Sequence, residues 1–312
     1  MEIISLLQKF RAFPFFNRRC KDRLNIFISL PARQKGGGSN TFSYNFNKWI
    51  AKNRSKYNIV YNIGKADRAI VIANKMDIKR LAKAKDKGCF IIHRLDEHVE
   101  PVEDEYRRKK HAHIKELNRF ADITVFQSNF VFENMYPFLD RPEKYEIIHN
   151  GADPEEFYPD DQPGKFIGHV TWGTGGKKRL DMLYETIRAN PEERFLLVGN
   201  HSASKYNFTD LANVNYAGTV KRQQMPFFLH KMKFLYFPSE NDPCPNTVIE
   251  AILAGVPVCY NPLGGTKELV KDCGTELSGY QDMNANIENF RTECLKRTDL
   301  HFYYTAERYL EL

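Results

Sequence analysis

Two carboxylates, Asp242 and Glu250, flank a Cys–Pro pair and an Asn–Thr pair in the stretch ENDPCPNTVIEA, residues 240–251. The apolar residues Val248, Ile249, Ala251 and Ile252 follow, with Gly255 and Pro257 beyond, so the spacing predicts a helix that starts near Asn246 or Thr247. Asn and Thr are favoured at a helix N-cap, and the first-turn amides attract anions. A phosphate there would meet those amides and the Thr247 hydroxyl. Glu250, expected in the first turn, would accept hydrogen bonds from a ribose diol. Asp242, on the loop before the helix, would reach a sugar hydroxyl. The same Asn–Thr pair also reads as an ordinary cap with no ligand. A metal site is disfavoured, because one Cys without a neighbouring Cys or His makes no tetrahedral set. The flanking prolines suit a rigid loop in which the cysteine is incidental.

A second group is CFIIHRLDEH, residues 89–98. His93 is expected to end a strand, which puts His93, Arg94 and Asp96 at the carboxyl edge of a sheet, where open α/β folds bind ligands. A lone histidine there also reads as a satisfied structural residue. Arg94 reads either as a partner of Asp96 or as a ligand for an anionic acceptor. His111 and His113 are two apart on a helical stretch and face apart, which makes them poor metal ligands. The run RRKKH (107–111) reads as a solvated face or as a contact for a phospholipid or anionic acceptor.

These residues need a scaffold, and the apolar pattern supplies one. LNIFISL (24–30) is a strand, PARQKGGG a glycine loop, and Phe42, Phe46, Trp49 and Ile50 then recur at helical spacing. AIVIAN (69–74), CFIIH (89–93), ITVFQS (123–128) and YEIIHN (145–150) repeat the strand pattern with helix-like segments between. Alternation of this kind predicts a parallel sheet covered on both faces. NGADPEEFYPDDQPG (150–164) reads as a linker, and the pattern restarts with FIGHVTW, FLLVG, VNYAG, FLYFP and VPVCY. The expected division is an N-terminal domain over 1–155, with 1–23 as a basic amphipathic extension, and a second domain over 156–290. A helical tail over 291–312 would pack back on the first domain through Phe290, Leu295, Tyr304 and Tyr309.

At 312 residues, 42% apolar and 27% charged, the chain is an ordinary globular protein of two-domain size. The formal charge of +7 favours anionic partners. The basic residues are spread rather than gathered in an aromatic-interleaved stripe, which argues against nucleic acid. Six scattered cysteines without a CxxC pair suit a reducing cytosol, so a cytoplasmic protein is expected. No stretch reaches the length of a membrane span. Residues 1–23 read either as a segment lying on an anionic membrane surface or as an extension packed on the domain.

The second half resembles glycosyltransferase family 4. Pro238-Ser239, Asp242, Glu250-Ala251, Gly255, Pro257 and Val258 follow that family's order, as do Gly264-Gly265 with Glu268, Asn150-Gly151-Ala152-Asp153 and Phe157-Tyr158-Pro159. Gly36, Gly37 and Gly38 look like its N-terminal glycine loop. The resemblance runs from about residue 24 to the end. It implies the GT-B fold, α/β with two Rossmann-like domains facing each other across a cleft. It implies a nucleotide-diphosphate sugar as co-substrate, no required cofactor or metal, retention at the anomeric carbon, and a glycan, lipid-linked or other hydroxyl acceptor. By the same resemblance the catalytic group is Asp242 with His93 and Asp96 near the donor sugar. The donor is held by Glu250, Asn246, Thr247, Lys177, Lys178, Val220 and Pro245; Gly36, Gly37, Gly38 and Arg94 serve the acceptor or phosphate side.

Two departures stand out: the first carboxylate, usually Glu, is Asp242, and the family's Lys-Gly is here Lys178-Arg179, with the earlier Arg missing. Lys177 would supply the second charge. A sugar-nucleotide epimerase or hydrolase on the same scaffold is the nearest rival, separated by whether an acceptor is needed. A non-catalytic protein binding anionic ligands or a membrane surface is the other; it predicts no change in donor binding on replacing Glu250 or Lys178.

Overall fold

The computed structural model describes residues 18–32, 37–99 and 104–312, which divide into two compact units. The first takes the described residues up to Ile148 and adds Ala306–Leu312; the second is His149–Thr305. Most of the expected extension, and Gly36, lie outside the described residues. Its last residues are tied to the first unit: Arg19 pairs with Asp67 at 2.6 Å, and Asn58 donates to the Arg18 carbonyl at 3.0 Å.

In the first unit, β1 (Leu24–Ile28), β2 (Tyr57–Ile59), β3 (Arg68–Ile72), β4 (Phe90–Leu95), β5 (Ile123–Phe126) and β6 (Tyr145–Ile147) form one sheet. Its order is β2-β1-β3-β4-β5-β6, with every pairing parallel. Parallel strands with both faces covered need apolar residues at consecutive positions; in β3 every residue from Ala69 to Ile72 is fully buried. Helices α1 (Gly38–Lys52), α2 (Ile78–Lys85), α3 (Glu105–Asn118) and α4 (Asn129–Phe138) fill the connections. The side chains of Asp77, Asp104 and Ser128 cap the last three, each accepting a first-turn amide. Phe42 and Phe46 of α1 pack on Tyr309, with ring centroids 5.2 and 6.1 Å apart.

The second unit repeats the plan with β7 (Phe166–Thr171), β8 (Phe195–Gly199), β9 (Val214–Gly218), β10 (Met232–Phe237), β11 (Val258–Tyr260) and β12 (Gly274–Glu276). The order is β12-β11-β10-β7-β8-β9, again all parallel. Its helices are α5 (Leu180–Ala189), α6 (Met225–Leu229), α7 (Asn246–Leu253), α8 (Thr266–Val270) and α9 (Met283–Leu295); α10 (Phe302–Glu311) starts in this unit and passes into the first at Ala306. Along β8, Phe195 and Leu197 join one core with Leu183, Ile187 and Phe234, whereas Leu196 and Val198 join the opposite core with Leu235, Val248 and Ile252. α7 stops where the apolar pattern said it would. Gly255 takes φ +70° and donates to the Ile252 carbonyl at 3.0 Å, while Val256 donates to Ala251 at 2.9 Å.

The tail differs from its expectation. Only Ala306–Leu312 joins the first unit. Leu295 and Tyr304, expected as anchors, are exposed, whereas Tyr309 is fully buried. The six cysteines are free thiols. Among the described residues no helix is long and apolar enough to cross a membrane.

Both strand orders reverse once, between β1 and β3 in the first unit and between β7 and β10 in the second. Outside the carboxyl ends of such strand pairs an open α/β sheet has its natural ligand crevice.

Candidate active site

At the β7/β10 reversal, the loop leaving β7 meets the loop leaving β10. The Glu240 N–H donates to the Lys177 carbonyl at 2.9 Å. Lys178 Nζ donates to Asp242 Oδ2 at 3.2 Å. Arg179 donates to Glu240 Oε2 at 3.1 Å and pairs with Asp181 at 3.0 Å. Arg179 sits at φ +47°, ψ +46°, the left-handed region in which glycine is at ease. A non-glycine residue is strained there, and two carboxylates hold the arginine side chain.

The Gly264-Gly265 loop closes on Asp242 from another side. Asn241 donates to the Leu263 carbonyl and Gly265 to the Asp242 carbonyl, both at 2.9 Å. Gly264 takes φ +113°, and a Cβ there would stand 2.9 Å from the Asp242 amide nitrogen and carbonyl oxygen. Glu268, on the following helix, lies 3.1 Å from His149. A cavity of about 640 Å³, lined among others by Gly175, Gly176, Arg179, Tyr206 and Glu240, opens beside these loops.

The start of α7 corrects three expectations. Pro245, buried, occupies the N-cap position with no side-chain hydrogen bond, so neither Asn246 nor Thr247 caps the helix. The Pro245 carbonyl accepts from Val248 and Ile249 at 3.1 and 3.3 Å. Asn246 instead turns its Oδ1 to the Asn150 side-chain amide at 3.0 Å. Cys244 is no bystander: its Sγ accepts the Asn150 N–H, and its carbonyl the Asn150 side chain, each at 3.3 Å. Glu250 falls in the second turn, not the first, and is only 7% exposed. Burial pushes its carboxyl up from the usual range, and Arg222, whose Nη1 donates to Oε1 at 3.0 Å, pulls it back. Oε2 accepts no hydrogen bond from the described residues. Val220 is half-buried and packs against the core.

Residues 165–290 match the family described as Glycosyl transferases group 1. The match spans the second unit's sheet and most of its helices. Comparison of the sequence with curated proteins finds no match. Among solved structures, sucrose-phosphate synthase from Thermosynechococcus elongatus is similar, with a TM-score of 0.73 and 14% identity over 93% of this chain and 98% of that one. Anabaena HepE in complex with UDP-glucose gives 0.66 and 14%, over 93% and 99%. An alpha-glucosyltransferase in complex with UDP and a 13-mer DNA gives 0.57 and 14%, over 93% and 94%. At such identities the likeness shows the fold, which is GT-B with two Rossmann-like units. The match to group 1 glycosyl transferases supports a transferase.

Beyond the matched stretch, the transferase's first unit gathers a different set. Gly37 takes the N-cap position of α1 and Gly38 its first turn. Asp96 accepts hydrogen bonds from the Ser39 hydroxyl, in that first turn, and from Arg94 Nη1, the latter at 2.9 Å. Arg94 is fully buried with its guanidinium 4.1 Å from the centre of the Phe42 ring, so the structure realises the Asp96-partner reading of it. β4 runs on to Leu95, which corrects the expected strand end at His93. His93 is fully buried; its Nε2 donates to the Ala73 carbonyl at 2.9 Å and its Nδ1 accepts from Asn118 at 3.0 Å. Both ring nitrogens are engaged within the fold, which leaves none for a sugar.

The transferase domain also holds a histidine pair that sequence reading passed over: His169 Nδ1 and His201 Nε2 lie 2.7 Å apart, both buried. A histidine inside the apolar run FIGHV was its only signal. Among the described residues no cluster of three or more His, Cys, Asp or Glu side chains is placed to hold a metal ion.

Burial lowers His93 and His201 from 6.5 to about 4. Between those values the unfolded chain binds the proton and the folded chain does not, so stability is complete above about pH 6.5 and falls as the pH drops towards 4. Urea unfolding from pH 7.5 to 4.5 should show that fall. It should be shallower in His93→Gln, and an unchanged slope would refute the assignment.

Proposed function

We propose that this chain is a retaining, metal-independent glycosyltransferase that moves a sugar from a nucleotide-diphosphate sugar to a hydroxyl of a glycan or lipid-linked acceptor. One observation carries the reading: Lys178 meets Asp242 across the β7/β10 reversal, in front of the helix that bears Glu250 with Oε2 open. In this reading Lys178 and the first-turn amides of α7 take up the charge of the leaving diphosphate, a preorganised electrostatic role. Glu250 Oε2 accepts a ribose hydroxyl, and Asp242, oriented by Lys178, accepts a sugar hydroxyl. The acceptor oxygen bonds to the anomeric carbon on the face the diphosphate leaves, the anomeric C–O bond breaks, and a phosphate oxygen takes the acceptor's proton.

The HepE structures in complex with UDP, UDP and glucose, and UDP-glucose support trying uridine first as the donor base. The acceptor belongs to the first unit, around Gly37, Gly38 and the Ser39–Asp96 contact, and the basic N-terminal segment would bring it to an anionic membrane surface.

The test is turnover of UDP-glucose, UDP-galactose and UDP-N-acetylglucosamine in excess EDTA, with and without hydroxyl acceptors, followed by NMR of the anomeric proton. Acceptor-dependent transfer with an α-linked product is expected. Hydrolysis or epimerisation at full rate without acceptor would overturn the transferase reading. Inverted product would overturn retention, and loss of turnover in EDTA would overturn metal independence.

A further inference from the structure

Arg222 lies between two carboxylates of the second unit. It opens the short turn Arg222–Gln224 after Val220, and its side chain is 13% exposed. Nη1 donates to Glu250 Oε1 at 3.0 Å, Nε lies 3.4 Å from Glu156 Oε2, and the guanidinium stands 5.3 Å from the centre of the Phe157 ring. Phe157 is itself buried, so the linker segment that carries Glu156 is anchored.

We propose that Arg222 is a positioning residue that keeps Glu250 an ionised acceptor for the ribose of the donor nucleotide, with Glu156 bracing the guanidinium. The proposal rests on the reading of Glu250 as the ribose ligand. A buried carboxyl without a cation takes up a proton, and its affinity for that proton can rise by several pK units. Once protonated it turns one oxygen into a donor and loses the charge that strengthens its bond to a hydroxyl. The guanidinium cannot hand over its own proton, so it opposes the upward push of burial on the Glu250 carboxyl throughout the working pH range. It uses only Oε1, which leaves Oε2 for the ligand. Arg222 and Glu156 are the charged groups that act on Glu250. Glu156 opposes the ionisation of Glu250 only through space, while its charge, 3.4 Å from Nε, helps to hold the guanidinium beside Glu250.

The experiment compares the affinities of UDP and 2′,3′-dideoxy-UDP by calorimetry between pH 6.5 and 9; GDP or ADP and their dideoxy forms replace them if the unmodified chain binds one of those. In the unmodified chain the hydroxyls should favour UDP by roughly ten- to hundredfold at every pH, the scale of a charged hydrogen bond. In Arg222→Met the preference should collapse towards one at pH 6.5 and recover by pH 9, with dideoxy-UDP affinity little changed. Arg222→Lys should restore most of the preference at neutral pH, and it also serves if the methionine variant does not fold. A preference unchanged at all pH values, or an equal and pH-independent loss for both nucleotides, would overturn the role of Arg222. A preference near one in the unmodified chain would remove Glu250 as ribose ligand, and the proposal with it.

Discussion

Lys178→Met should lower kcat/KM for the nucleotide sugar by on the order of a hundredfold or more, with most of the fall in kcat. The reason is the timing of charge. In the bound donor the diphosphate is already anionic, but a further negative charge develops on the departing oxygen as the anomeric bond breaks. A cation fixed at that point stabilises the transition state more than the ground state. Removing it leaves Asp242 facing the diphosphate without its 3.2 Å partner, which adds a repulsion to the loss. The pair is partly exposed, with Lys178 at 34% and Asp242 at 21%, so the change in folding stability should stay within about 1 kcal/mol. Steady-state kinetics together with urea unfolding separate the two effects. A variant that keeps its kcat would end the assignment of Lys178 to the leaving group.

The second large effect is structural. Gly264→Val should destabilise the second unit by about 2–4 kcal/mol, combining a β-branched residue forced to φ +113° with overpacking against backbone. The clash is with the amide nitrogen and carbonyl oxygen of Asp242, so relief has to come from moving the loop that carries the carboxylate. Activity should therefore fall even at temperatures where the variant remains folded. Gly37→Ala is the control: φ there is −72° and a Cβ would meet nothing within 4 Å, so only the N-cap preference for Gly over Ala is lost, and stability should fall by less than about 1 kcal/mol. Equal effects at the two glycines, read from the unfolding transition of each variant, would show that the close approach at Gly264 is unimportant.

What could be read from the sequence follows from where the information lies. Long apolar runs flanked by turn residues marked ten of the twelve strands. The two that escaped, β2 and β12, are three-residue edge strands with no fully buried position. The carboxylates Asp242 and Glu250 were legible because a helix stop signal and a proline-rich loop bracket them. Their surroundings were not. Arg222 reaches Glu250 from a turn between β9 and α6, and Asn150 reaches Asn246 from the linker; neither partner shares a local pattern with the residue it holds. The cap at Asn246 failed for a related reason, since a tertiary partner claimed the side chain that local propensity would have folded back on the helix. His93 read as a strand-end residue because two polar residues, Arg94 and Asp96, crowd behind it. The fold buries the arginine under Phe42 and so extends the strand beyond it.

The residues that complete the first unit's core follow the whole of the second unit in the chain. Tyr309 seals Phe42 and Phe46, Arg68 donates to the Leu310 carbonyl at 2.7 Å, and Arg308 pairs with Glu146 at 2.8 Å. During synthesis the first unit therefore emerges from the ribosome with an open apolar face on α1, and it must wait for the second to be made before that face is covered. Domains released in order usually fold in order. Here the half that appears first is finished last, so a ribosome stalled within the second unit would display an unfinished first unit to chaperones, and a protein cut after Ile148 would keep Phe42 and Phe46 without their lid.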